Sequence, residues 1–324
     1  MFRKQAMLMV GLGVLGSGLA GCGASDLSTT KTNYRPNGLV AAVKGRATTA
    51  KVSYQVDGAK TQHANVNHHT FVIQVPAKTT RQTVKIMAAG KTTTAHVSAA
   101  KRLNGYQKLA TTYNNALIGS KLSKADQAAA QRLQKQGATL KSQQATIQKK
   151  VKQAQAQLKA GGAQAATAAQ TLQTQQAAAA KLQTQAAELQ TSQQQVASAM
   201  KTAKAKVKDQ LLPSKTPADG LRNVVTTKDY RIRLNVQNGD VVGAALIVPT
   251  KAFKDKTRSK TFGTSFALLS TASGANAKTV MKAFQKATKD NSSSTTTIDP
   301  IYSNGVKFTV GVSTSDLYIF MTKK

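Results

Sequence analysis

The side chains that most often carry out acid–base and nucleophilic catalysis are scarce in this sequence. Its 324 residues include four histidines and one cysteine, Cys22, and Glu188 is the single glutamate. The histidines all precede residue 100, and they are His63, His68, His69 and His96. Because Ser-His-Asp and Cys-His hydrolases need a histidine beside the nucleophile, residues 213 to 324 are predicted to hold no such site.

Two other kinds of site are conceivable from the residue types, a glycosidase site with two carboxylates and a metal site formed by histidines. The aspartates after residue 213 lie mostly at predicted turns and strand ends, where Asp is common for local backbone reasons. They are Asp219, Asp229, Asp240, Asp255, Asp290, Asp299 and Asp316. A glycosidase could draw its acid pair from them, and His63, His68 and His69 could hold a metal. No cysteine or acid lies among those histidines, which favours a solvated loop, and we predict no catalytic residue, metal or cofactor.

Residues 1 to 22 have the pattern of an export signal. Arg3 and Lys4 form a positive start, residues 6 to 20 carry no charge, and small residues precede Cys22. This order is typical of a secretory signal peptide. The apolar run is too short and too rich in glycine for a comfortable membrane-spanning helix, which needs about 20 apolar residues. We therefore predict that residues 1 to 21 are a signal peptide and that the rest of the chain is exported.

The last four residues of this leader, Leu19-Ala20-Gly21-Cys22, resemble the lipobox of bacterial lipoproteins. The resemblance implies that Leu19, Ala20 and Gly21 are recognised by the signal peptidase and that a diacylglyceryl group is attached to the Cys22 sulfur. Two acyl chains on one residue are enough for stable membrane anchoring. The expected location is the extracellular face of the cell membrane. Since Cys22 is the sole cysteine, no disulfide is expected.

The first folded part of the exported chain is predicted to be a small β-sandwich. Residues 22 to 37 are polar and are predicted to be a tether. From residue 38 to 99, short runs alternate apolar and polar side chains, as in Val52, Tyr54 and Val56, with turn signals such as Asp57-Gly58 between them. Several such strands without an intervening helical pattern predict an antiparallel sandwich, immunoglobulin-like (Ig-like) in architecture only.

Residues 100 to 212 are rich in Ala, Gln, Lys and Thr and are predicted to be helical. One helix is expected to end near Gly119, and another to start at Ser123, which can cap it. Seven-residue repeats follow on both sides of Gly161 and Gly162. The first repeat is Leu133, Leu140, Ile147 and Ala154, with Val151 and Leu158 on companion positions. The second repeat has two rows, Leu172, Ala179, Ala186, Gln193, Met200 and Val207, and Leu182, Leu189, Val196 and Ala203.

These repeats predict an antiparallel coiled-coil hairpin whose tip is Gly161 and Gly162. Heptads sustained over this length are typical of coiled coils, and a two-residue break can only return the chain alongside itself. Equal distances from the turn would place Ile147 near residues 175 to 178. The alternative is a Gln- and Ala-rich segment of low complexity that stays disordered.

The remaining chain is predicted to be a linker, residues 213 to 219, followed by an α+β domain with a mainly antiparallel sheet, residues 220 to 324. Asn238-Gly239 and Asn304-Gly305 each lie between alternating runs, which is a strong hairpin signal. We also predict a strand over residues 265 to 270 and a helix over residues 275 to 289. The whole chain is thus predicted to be a multidomain α and β protein.

Charge is the remaining indicator of function. The chain has 46 Lys and Arg against 12 Asp and Glu, a formal net charge of +34, spread over all its parts. A nucleic-acid module usually concentrates its positive charge on one face, and export removes that substrate, so we predict no nucleic-acid partner. A dispersed positive field suits anionic wall polymers, although a basic surface can also serve solubility alone. Arg231 and Arg233, two positions apart on one strand, are the candidate anion contacts.

In layout and composition the chain also resembles multidomain surface lipoproteins of lactic acid bacteria, which are Gram-positive. Together these features predict a non-enzymatic, lipid-anchored surface protein. Its partners would be membrane lipid, through Cys22, and an anionic wall polymer or a surface protein. The alternative is a solute-binding lipoprotein of a transport system. That class expects two α/β lobes around a cleft, with repeated βα units that this sequence does not show.

Replacing Cys22 by Ala is expected to leave the leader uncut by the lipoprotein pathway and to shift the protein from the membrane to the medium or to an unprocessed form. Intact-mass analysis of the membrane fraction measures this, with a Cys22→Ser variant as a second thiol-free form. An unmodified Cys22 on the wild-type protein in that fraction would contradict lipidation.

Overall fold

The structure is a computed structural model, and it describes residues 27–290 and 298–324. The predicted leader, Leu19, Ala20, Gly21 and the lipidation site Cys22 lie outside the described residues. The chain divides into two compact units, one formed by Met1–Ala116 with Asp209–Lys324 and the other by Leu117–Lys208. Helices and antiparallel sheets both occur, so the prediction of a multidomain α and β protein is confirmed.

The first sheet contains eight strands and curls around its own core. Its strands are β1 (Leu27–Thr29), β2 (Asn33–Tyr34), β3 (Val40–Ala47), β4 (Lys51–Val56), β5 (Gln62–Asn67), β6 (Thr70–Pro76), β7 (Gln82–Ala88) and β8 (Lys91–Val97). They are ordered β1-β3-β6-β5-β4-β7-β8-β2, and every neighbouring pair is antiparallel except the parallel pair of β2 and β8. The alternating apolar residues, such as Val52, Ile73 and Ile86, fill the core of the curled sheet. Burial of this alternate face is what stabilises the curled sheet.

The predicted tether is wrong from residue 27 onward, because β1 and β2 belong to the curled sheet. β1 pairs with β3, and β2 pairs with β8. Leu27 and Tyr34 are buried in the core, and the Tyr34 hydroxyl donates a hydrogen bond of 2.7 Å to the Lys44 carbonyl oxygen. Strands of three and two residues are too short for period-two alternation to be visible in a sequence.

The helices of the described residues are α1 (Tyr106–Gly119), α2 (Lys124–Ala160), α3 (Ala165–Lys206), α4 (Lys256–Ala272) and α5 (Ala277–Asp290). Short 3-10 turns occur at Gly162–Gln164, Lys208–Gln210 and Thr250–Lys254. The strand predicted over residues 265 to 270 is wrong, since this segment lies inside α4. Phe262, Phe266 and Leu269 are spaced by four and three residues and form one buried helical stripe. Residues 265 to 270, taken alone, contain a continuous apolar run, which is also typical of a buried strand.

The second sheet contains seven strands. They are β9 (Asn104–Gly105), β10 (Gly220–Thr226), β11 (Arg231–Gln237), β12 (Asp240–Pro249), β13 (Ile301–Ser303), β14 (Val306–Val312) and β15 (Asp316–Lys323). The order is β10-β11-β12-β15-β14-β13, with β9 paired to the end of β12, and all pairs are antiparallel. Both predicted Asn-Gly hairpins are present, and their Asn and Gly residues all have positive φ.

Helices α1, α4 and α5 contribute to the core that covers one face of the second sheet. Phe266 of α4 packs edge-on against Phe308 of β14 and Phe284 of α5, with ring centroids 6.1 and 5.3 Å away. The hydroxyls of Tyr113 on α1 and Tyr230, just before β11, lie 3.3 Å apart in the interior. Burial raises the pKa of Tyr113, so its hydroxyl stays neutral.

The other face of the second sheet receives an edge of the curled sheet. Leu39, in the turn before β3, is buried against Ala245 and Ile247 of β12. Asn235 of β11 is fully buried there, and its amide donates hydrogen bonds to the Ala77 carbonyl oxygen at 2.6 Å and, more weakly, to the Leu39 carbonyl oxygen at 3.5 Å. The two sheets therefore form one compact unit.

Helices α2 and α3 form the second unit and run alongside each other in opposite directions. Ser123 caps α2 as predicted, with its Oγ accepting the Asp126 backbone N–H at 3.0 Å. The chain reverses at Gly161 and Gly162, whose φ values of 68° and 79° favour glycine. Ile147 lines the same groove as Gln175 and Ala178, so the predicted pairing is confirmed and the disordered alternative is not observed.

Only one of the two predicted rows of α3 forms the seam with α2. Val196 and Ala203 of the second row are buried, whereas Ala179, Ala186 and Gln193 of the first row are exposed and Met200 is 40% exposed. The seam continues toward the turn through Gln175 and Ala168. Because α3 is so rich in alanine, both rows repeat every seven residues, and only contact with α2 distinguishes them.

Replacing both Leu182 and Leu189 by Asp is expected to unfold most of the α2 and α3 pair. Two unpaired charges would enter a seam with few other large side chains. Circular dichroism at 222 nm during heating measures the helix content. The control is Ala179→Asp with Ala186→Asp, which places the same two charges on the exposed row of the same helix. Equal losses in the two double variants would contradict this seam.

Replacing Asn235 by Leu is expected to lower the free energy of unfolding by about 1–3 kcal/mol, because the buried Ala77 carbonyl oxygen loses its partner. Urea unfolding followed by tyrosine fluorescence measures the change. Asn65, exposed on β5, offers a matched control, since Asn65→Leu should stay within about 0.5 kcal/mol of the wild type. A value for Asn235→Leu inside that range would show that the amide is dispensable.

Candidate anion-binding face

The two candidate anion contacts, Arg231 and Arg233, lie on the same face of β11 as the buried Asn235. Alternate residues of a strand share a face, so the predicted side-by-side arrangement is present. This is the face against which Leu39 of the curled sheet packs. Both arginines are partly buried rather than fully solvated.

Arg231 is neutralised within the protein. Its Nη2 lies 3.0 Å from Oδ1 of Asp316, at the start of β15, and the Asp316 side chain is only 15% exposed. Ser315 Oγ donates to the second carboxylate oxygen at 2.9 Å, and the Asp316 backbone N–H donates to Ser313 Oγ at 3.0 Å. The carboxylate is therefore held in place. An external anion would have to compete with it for Arg231.

Arg233 differs from Arg231 in its partners. Its Nε donates to Oδ1 of Asn223, its cross-strand neighbour on β10, at 2.8 Å. Within the described residues, no carboxylate lies at ion-pair distance from it. Burial lowers the pKa of Arg233, and the nearby charge of Arg231 lowers it further, while Tyr318 acts in the opposite direction. The guanidinium still carries its charge at neutral pH, because arginine remains protonated even when its pKa falls.

The sequence could identify the arginine pair but not the difference between its members. Spacing of two on a predicted strand is a local signal. Asp316 lies 85 positions from Arg231, and it becomes a neighbour only through the pairing of β11 with β12 and β12 with β15. Asn223, ten positions before Arg233, carries no sequence signal of its own.

The α2 and α3 pair supplies the second concentration of positive charge. Residues 117 to 208 contain fourteen Lys and Arg and two acidic residues, a net charge of +12. No ion pair is formed within this described unit. Most of the excess lies on α2, whereas residues 165 to 199 of α3 carry only Lys181 and Glu188. The charge is solvated and dispersed, which suits a long-range field better than a shaped pocket.

The histidines have ordinary local roles. A ring nitrogen of His63 lies 3.1 Å from Ser53 Oγ, and one of His96 lies 3.4 Å from Thr83 Oγ1. His68 and His69 form the turn between β5 and β6 with φ values of 48° and 59°. Across residues 27–290 and 298–324, no three His, Cys, Asp or Glu side chains are grouped as a metal site would need.

Several aspartates considered for an acid pair are engaged in structural contacts. Asp229 accepts from Arg258 Nε at 2.8 Å, and Asp240 pairs with Arg102 at 3.0 Å. Asp255 caps α4 by accepting the backbone N–H groups of Thr257 and Arg258. These carboxylates hold loops and helix ends, which is the local role that Asp was expected to have.

Comparison with known proteins adds no family. No protein-family model matches the chain, and no curated protein matches its sequence. Among the helices of the described residues, none has both the length and the apolar content needed to cross a bilayer.

Proposed function

We propose that the protein is a non-enzymatic, lipid-anchored surface protein that binds an anionic polymer of the cell envelope. The observation that carries this proposal is the uncompensated positive charge, which is +34 for the whole chain with only Arg3 and Lys4 contributed by the predicted leader. Asp57, Asp229, Asp240 and Asp316 already pair with basic side chains inside the described part of the chain. Few acidic groups therefore remain to balance the surface lysines.

The lipid anchor and the charge would act together. A diacylglyceryl group on Cys22 would hold the protein at the extracellular face of the membrane, beside anionic headgroups and wall polymers. There the field of the basic surface would raise the local concentration of polyanion. The lysines of α2 would provide many weak contacts, and the sheet face with Arg233 would provide a more specific one.

Two finer structural assignments belong to the same proposal. The α2 and α3 pair would be a coiled coil, which the seven-residue rows at its seam support. The curled sheet would be a relative in architecture of Ig-like sandwiches, which its short antiparallel strands support. Neither architecture needs a catalytic residue.

Binding of the purified protein, in mild detergent, to isolated cell walls is expected to weaken steeply as salt rises. Exposed charges are screened beyond about 8 Å at physiological ionic strength. Co-sedimentation with walls measures bound protein, and walls stripped of their anionic polymer are the control. Equal binding to native and stripped walls at high salt would contradict the proposal and point to an uncharged partner.

A further inference from the structure

Among the arginines of the described residues, only Arg233 is both partly buried and without a carboxylate partner. The partly buried ones are Arg231, Arg233 and Arg258. Arg231 and Arg258 each pair with a carboxylate, Asp316 and Asp229 respectively. Arg233 is partly buried and has only the neutral amide of Asn223 as its partner. Among the described residues, Arg233 is thus the partly buried arginine that has no carboxylate partner.

We propose that Arg233 is the binding site for one monoanionic group that presents two equivalent oxygens, such as a phosphodiester or a carboxylate of an envelope polymer. This inference rests on the proposed function and names the chemistry of the ligand. It narrows the contact to a single residue of the arginine pair.

Charge balance on the face supports a monoanion. Arg231 and Asp316 cancel each other, and Arg233 adds one positive charge beside them. A bound anion of one charge would neutralise the face and relieve the repulsion between Arg231 and Arg233. Arg233 supplies one positive charge, so a dianion would leave one negative charge unmatched, and the site favours a single charge.

Donor geometry supports a group with two oxygens. A guanidinium has five N–H donors in a planar fork, and the contact to Asn223 uses only Nε. The Nη donors remain for a bidentate contact, which carboxylate and phosphate oxygens match. Because Asn223 and Arg233 are cross-strand partners on a paired sheet, the guanidinium is oriented before the ligand arrives.

The test compares two arginines that hold the same kind of partner. Arg81, exposed in the curled sheet, donates through Nη2 to Oδ1 of Asn33 at 3.3 Å and also lacks a carboxylate. Arg233→Gln and Arg81→Gln remove equal charge, so a uniform field would be weakened equally by both. Calorimetry at constant salt would measure Kd for a glycerol phosphate oligomer, a galacturonate oligomer and a neutral maltose oligomer.

We expect Arg233→Gln to weaken binding of the preferred anionic oligomer by about tenfold or more, since a charge-assisted contact is lost. Arg81→Gln should change Kd less than about twofold, as expected for one exposed charge. The oligomer that shows the Arg233-dependent loss identifies the anion as phosphodiester or carboxylate. Equal losses in Arg233→Gln and Arg81→Gln would overturn the site while leaving the charge-based function intact.

Two further measurements separate the possible failures. If the wild type binds neither anionic oligomer nor walls, the proposed function itself fails. If heating shows that Arg233→Gln is unfolded, Arg233→Lys and Arg81→Lys replace the pair, because lysine keeps the charge and loses the fork. Arg233→Lys should then weaken binding several-fold and Arg81→Lys should not. Equal Kd values for the two lysine variants would also overturn the site.

Discussion

The buried amide of Asn235 is the contact on which the arrangement of the larger unit depends. It lies on the face of the second sheet where Leu39 packs, and it satisfies a carbonyl oxygen of the curled sheet that would otherwise be buried without a donor. An unpaired buried carbonyl is expensive, so the two sheets are held in one relative position. Leu39 also packs closely over Gly243, where a Cβ would lie 2.8 Å from Leu39 Cδ2.

The face that carries this contact also carries the two candidate arginines. Arg231 and Arg233 lie on the same face of β11 as Asn235, and both are partly buried there. Partial burial removes some of the water around both guanidiniums. The fold provides Asp316 as compensation for Arg231 and only an amide for Arg233. The difference between a structural arginine and a candidate ligand contact is therefore a consequence of strand pairing within the second sheet.

The α2 and α3 pair is stabilised in a different way. Its seam is made mostly of alanine, glutamine and a few leucines, so each layer buries little apolar area. Helix formation there depends on the strong propensity of Ala, Gln and Lys as well as on the seam. A thin seam leaves most side chains in solvent, and on α2 many of them are lysines. The unit is thus a long, solvated, positively charged surface rather than a container for a small ligand.

Short-range sequence patterns were enough to predict the structural elements that neighbouring residues form. The Asn-Gly hairpins, the Ser123 cap and the reversal at Gly161 and Gly162 all arise from residues within a few positions of one another. The lipobox at Cys22 is equally local, and it stays a prediction because it lies outside the described residues.

The tertiary structure decided what depends on distant partners. Strands β1 and β2 exist because longer strands offer them edges, and α4 is helical because its Phe262 and Phe266 stripe meets the second sheet and α5. Which row of α3 is buried depends on α2, since both rows share one period. Arg231 and Arg233 differ because only Arg231 pairs with Asp316, which lies two strands away across the sheet. Sequence spacing carries no information about such neighbours, because strand pairing and packing bring them together only in the folded chain.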